Sequence, residues 1–126
     1  MAIKYFFLLT GISGFTGVVM GAFGAHGLRG KVADNLFHAF ETGVTYQMSH
    51  TLAMLGVCIL MQLWGMKLSL QLAACAFLLG IVLFSGSLYG LALTGMKWFG
   101  PVTPIGGLAF LVGWLLLTFA TWENAR

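Results

Sequence analysis

The sequence predicts an all-α membrane protein: four transmembrane helices in an antiparallel bundle, with a short interfacial helix between the first and second. Three observations carry that expectation. Hydrophobic residues make up 60% of the 126 positions and charged residues only 7%, against roughly a quarter charged in ordinary soluble domains. Four apolar runs each approach the ~20 residues that cross ~30 Å of hydrocarbon. Only short polar breaks separate them, so residues 1–126 read as one four-helix membrane domain. The net charge of +3 is spread over the connections rather than gathered into a patch. Such charges hold helix ends among lipid headgroups, so the expected partner is the lipid bilayer and not nucleic acid.

The first span is expected at about 5–25. Lys4 and the small-residue segment Ala22 to Ala25 imitate a secretory signal, but the apolar run exceeds the ~7–15 residues of a signal core. It reads as a retained helix. Gly14, Gly17, Gly21 and Ala25 follow one another at offsets of three or four. Lipid is as apolar as the helices themselves, so association rests on close backbone approach. The stripe Gly17, Gly21, Ala25 is therefore expected to be a packing seam.

Gly27 to Gly30 breaks the helix, with Arg29 and Lys31 at headgroup depth. The interfacial helix is expected over 32–40, with Asp34 as a cap, Leu36, Phe37 and Phe40 toward the membrane and His38 toward water. The second span follows at about 45–64 and, after the turn Gly65–Lys67, the third at about 69–94. Gly86 and Gly90 form a second small-residue stripe in it, and both stripes are expected to pack within the bundle or between subunits. The fourth span is expected at about 104–122, with Thr103 as N-cap and Pro104 at the first helical position.

Trp64, Trp98 and Trp122 fall at expected helix ends, as an aromatic belt would, whereas Trp114 falls mid-membrane. Four spans leave both termini on one side. Lys4, Lys67 and Arg126 there balance Arg29, Lys31 and Lys97 on the other, so charge does not bias the orientation. Cys58 and Cys75 lack metal-type spacing and read as buried inert thiols.

Most of the polar chemistry lies between Gly21 and His50. At roughly 100° per residue, Gly43, Tyr46, Gln47 and His50 share one face of the second span, and Glu41, Thr45, Met48 and Leu52 the opposite one. Glu41 and His50 then stand ~13 Å apart along the axis on opposite faces and cannot pair within one chain. Polar groups at the depth of His50 face protein or water, because lipid satisfies none of their hydrogen bonds. Tyr46, Gln47 and His50 are thus expected to share one network with Ser85, Ser87 and Tyr89 of the third span. Such a network is either a structural cluster that fixes packing or a proton relay in a small polar cavity. His26, Arg29, His38 and Glu41 form an expected interfacial group, with Glu41 in reach of Arg29, Lys31 or Lys97. His38 and Glu41 have a spacing that metals accept, but two ligands without a third make no site. No metal, no cofactor and no enzymatic activity are expected, since no nucleophile–base or phosphate-loop pattern is present.

The blocks GAFGAHGL (Gly21 to Leu28), Glu41-Thr42-Gly43, Tyr46-Gln47, His50 to Ala53, LFSGSLYGLAL (Leu83 to Leu93) and TPIGGLAFLVGW (Thr103 to Trp114) carry a resemblance. The chain resembles the YgdD-like bacterial inner-membrane proteins, domain-of-unknown-function family 423, which has relatives among small eukaryotic transmembrane proteins. The resemblance implies a multi-pass protein of the bacterial inner (plasma) membrane and assigns no activity. It also implies that glutamine can stand where Glu41 stands, so no obligatory charge is expected there. The function expected is that of a packing or accessory subunit, which associates with itself or joins a larger membrane complex. The alternative is a small transport or proton-linked unit built on His50, with a lipid-acting enzyme a distant third.

Overall fold

The computed structural model describes residues 2–125, and they are almost wholly helical. Helix α1 is α-helical over Ile3–Phe23 and closes with a wide π turn, Gly24–Leu28. Helix α2 runs unbroken over Asp34–Trp64. Helix α3 spans Leu68–Thr94, with a π turn at Ile81–Ser85. Helix α4 covers Val102–Ala125, preceded by a 3-10 turn at Lys97–Phe99. All four are long and apolar enough to cross a membrane.

The separate interfacial helix expected over 32–40 does not form. Those residues are the approach to α2 and its first two turns, so the second span opens at Asp34 rather than near 45. No glycine or proline interrupts Asp34–Thr42, and an acid in the first turn suits the positive end of the helix dipole. Tertiary packing completes the account. Phe40 is fully buried, its ring 4.9 Å from that of Tyr89 and 5.9 Å from that of Phe23. The 31 residues of α2 make ~46 Å at 1.5 Å each, enough to span obliquely and reach the headgroups.

The helices pack in series: α1 on α2, α2 on α3, α3 on α4, each pair antiparallel, while α2 meets α4 only narrowly. Tight turns make this order possible. Gly65 and Gly95 end α2 and α3 with positive φ of 91° and 71°, a conformation that a side chain disfavours. The main core gathers Phe6, Met54, Val57, Met61, Leu70 and Phe77 in the half nearer the termini. A smaller one joins Leu28, Phe40 and Ala92 in the other half.

Phenylalanines seated against glycines hold α3 to α4. A Cβ at Gly113 would lie 2.6 Å from the Phe77 ring, one at Gly80 would strike Phe110, and one at Gly106 would strike the backbone of Phe84. Of the expected seams, Gly17 and Gly21 do face α2, against Met48 and Val44. Ala25 is exposed at the edge of the α1–α2 contact, and Gly24 packs on Phe40 in its place. Seven residues beyond Gly17 return to within ~20° of its direction, whereas eight turn ~80° away. Among the described residues of the chain, the Gly86–Gly90 stripe meets no other span. Gly86 has open space around it, and Gly90 is covered by the ring of Phe99 from the connection, not by another span.

Helix α4 begins at Val102, so Thr103 is not its N-cap; its hydroxyl instead bonds to Ser87 across the α3–α4 contact at 2.6 Å. Cys58 is buried as expected, but Cys75 is exposed on the outer face of α3. Trp64, Trp98 and Trp122 all lie at helix ends or in a connection.

Candidate functional site

Gln47 is the hub of the buried polar residues. Its Nε2 donates to the Ser13 carbonyl at 2.9 Å and to the Thr16 hydroxyl at 3.0 Å, both on α1. Its Oε1 accepts from the Tyr89 hydroxyl of α3 at 2.6 Å. One amide therefore ties three spans. Beside it the Ser13 and Thr51 hydroxyls bond at 2.7 Å, and Thr51 also donates to the Gln47 carbonyl. Farther along, the Thr10 hydroxyl bonds the Phe6 carbonyl and lies 3.6 Å from Cys58 Sγ.

His50 belongs to a different contact. Its Nε2 accepts from the indole N–H of Trp114 on α4 at 3.0 Å, and its Nδ1 lies 2.9 Å from the Tyr46 carbonyl. An indole nitrogen only donates, so Nε2 carries no proton and Nδ1–H donates to the carbonyl. The ring stacks on Phe110 at 3.7 Å between centroids. Sequence spacing could not reveal this bond, because Trp114 stands 64 positions away. The available signal was chemical: a mid-membrane indole N–H needs an acceptor.

The single network expected of Tyr46, Gln47, His50, Ser85, Ser87 and Tyr89 is thus divided. Gln47 and Tyr89 meet, joined by the unexpected Ser13, Thr16 and Thr51. The π turn in α3 aims Ser85 at α2, where its hydroxyl donates to the Gly43 carbonyl at 2.6 Å. A Cβ on Gly43 would lie 2.7 Å from the Tyr89 ring, so that position must be small. Ser87 serves α4 through Thr103. Tyr46 does not face the interior; it is 42% exposed, and its ring packs 4.6 Å from Phe84 at the edge of the α2–α4 contact.

The interfacial group is looser than expected. His38 Nδ1 stands 3.7 Å from Glu41 Oε1, one turn along the same helix with both side chains well exposed. Among the described residues, Arg29, Lys31 and Lys97 do not reach Glu41. Arg29 instead lies 5.3 Å over the Phe37 ring, and His26 is exposed in the π turn.

A groove of about 450 Å³ opens sideways beside His50 and Tyr46, walled by Phe84, Leu108, Leu111 and Trp114. A smaller one of about 150 Å³ lies between α1 and α2, where Gly21, Ala25 and Glu41 meet. Every buried side-chain nitrogen and oxygen among the described residues has a hydrogen-bond partner within the chain. No three of His, Cys, Asp and Glu converge among those residues. The arrangement can fix helix register, each of these buried atoms holding at least one partner within the chain.

Residues 20–107 match the family model described as protein of unknown function (DUF423). The chain is 43% identical over 121 residues to the UPF0382 inner membrane protein YgdD of Escherichia coli K12, a match covering 93% of this chain and 88% of that one. It is 41% identical over 117 residues to the UPF0382 membrane protein YwdK of Bacillus subtilis, covering 93% and 95%. A UPF0382 membrane protein of Staphylococcus aureus is 41% identical over 122 residues, covering 97% and 98%. No solved structure matches the chain.

Proposed function

Since the chain belongs to this family of multi-pass bacterial membrane proteins of unknown function, we propose that it is a packing or accessory subunit. In this reading it works by association with further copies of itself or with a larger membrane complex, and not as an enzyme. The observation that carries the reading is the full pairing of buried side-chain polar atoms among the described residues. Such pairing suits a rigid scaffold. Both nitrogens of His50 are committed, one to an indole that gives up no proton and one to a backbone carbonyl.

Mild-detergent extraction from native membranes followed by cross-linking tests the reading. A discrete oligomer or a defined complex is expected, unchanged by removal of the His50 imidazole. A chain that stays monomeric in its native membrane opposes it. One observation favours the transport alternative: His50 and Tyr46 border the lateral groove. Proton flux into liposomes that depends on His50 would support that alternative.

A further inference from the structure

A third cleft lies at the end of the molecule that carries the termini, between the start of α3 and the end of α4. It is open to the side and measures about 340 Å³. Its mouth is bounded by Lys67 and Glu123, and its walls, Leu72, Leu116 and Phe119, continue toward the membrane interior. The buried Ser69 hydroxyl donates to Glu123 Oε1 at 3.0 Å, which fixes one carboxylate oxygen and leaves the other without a partner among the described residues. Lys67 and Glu123 form no ion pair with each other, so a cation and an anion flank one opening. Trp64 and Trp122 at neighbouring helix ends put that opening at headgroup level.

Opposite charges at the mouth of an apolar slot match a ligand with its own opposite charges above an apolar body. We propose that this cleft seats a phospholipid whose headgroup carries a primary ammonium, of the phosphatidylethanolamine type. Its phosphate lies at Lys67, its ammonium at Glu123, and an acyl chain follows Leu72, Leu116 and Phe119. A primary ammonium donates charge-assisted hydrogen bonds to a carboxylate. A quaternary choline group has no N–H to donate, and a glycerol headgroup brings no cation. The proposal stands apart from the role of the polar core, because it uses no residue of that core.

Native mass spectrometry of the full chain, taken from nanodiscs of equimolar phosphatidylethanolamine, phosphatidylcholine and phosphatidylglycerol, is the test. The wild type is expected to retain the ethanolamine lipid over both others. Glu123→Gln should cut that preference by about tenfold, the worth of one charge-assisted bond, with the melting temperature unchanged. Lys67→Gln should weaken retention of all three, since all carry the phosphate. Ser69→Ala, which frees the carboxylate but keeps its charge, should give an intermediate preference. Equal retention of the three lipids by the wild type, or a preference that survives Glu123→Gln, would overturn the site. Soluble glycerophosphoethanolamine competing as well as the lipid would overturn the role of the apolar walls.

Discussion

Trp114 hands its indole N–H to Nε2 of His50 at 3.0 Å, the principal polar link between two spans that touch narrowly. Interhelical hydrogen bonds in membranes average ~0.6 kcal/mol, with model-peptide values of ~1–2. Trp114→Phe and His50→Leu should each destabilise by about that range. The double variant should cost less than the sum. A double-mutant cycle in mixed micelles measures the difference, and strict additivity would mean the bond contributes nothing.

Gln47 should matter more than His50. Gln47→Leu removes three side-chain bonds that join α1, α2 and α3, at an expected cost of about 2–3 kcal/mol if each contributes near the model-peptide value. Tyr89→Phe removes one bond and leaves Oε1 without its donor, at about 1 kcal/mol. Unfolding titrations in sodium dodecyl sulfate that rank Tyr89→Phe above Gln47→Leu would contradict the hub.

The glycines separate by what faces them. Gly106→Ala drives a methyl group into the Phe84 backbone, and overpacking of this kind costs about 1–3 kcal/mol. Gly86→Ala meets open space and should be neutral or stabilising by about 0.5–1 kcal/mol. Melting temperatures of the two variants should therefore move apart. Equal shifts would contradict the α3–α4 packing.

Topology offers a fourth check. Single cysteines replacing Lys4 and Lys67 should react with an impermeant maleimide from one side of the membrane, and those replacing Arg29 and Trp98 from the other. Cys75→Ala removes the exposed native thiol. Labelling of Lys4→Cys and Arg29→Cys from the same side would contradict a first span over Ile3–Leu28.

The four spans were legible because run length against bilayer thickness is a one-dimensional property. The start of α2 was not. Asn35 and His38 make 32–40 look like a surface piece, and only the burial of Phe40 under Tyr89 and Gly24 shows why the helix continues. The face shared by Gly43, Gln47 and His50 was readable from helical angle, and all three are buried. Their partners were not, since angle within one helix does not say which neighbour lies opposite. Ser13 and Thr16 answer to Gln47, and Trp114 to His50. Tyr46 shared the face by angle yet lies outward, because Phe84 and Phe110 occupy the space beside it.

The serial packing of the spans has a consequence for assembly. Each helix meets a surface made by the helix synthesised just before it, so the chain can consolidate in the order in which it emerges. Loop closures stay short, and long-range search is avoided. A hairpin of α1 and α2 alone already pairs Ser13 with Thr51 and Gln47 with Thr16. Two acceptors are left over in it: Oε1 of Gln47, which waits for Tyr89, and Nε2 of His50, which waits for Trp114. Those two atoms act as sockets. A later span inserted out of register or upside down leaves a socket empty in hydrocarbon, so the first half of the chain proofreads the second.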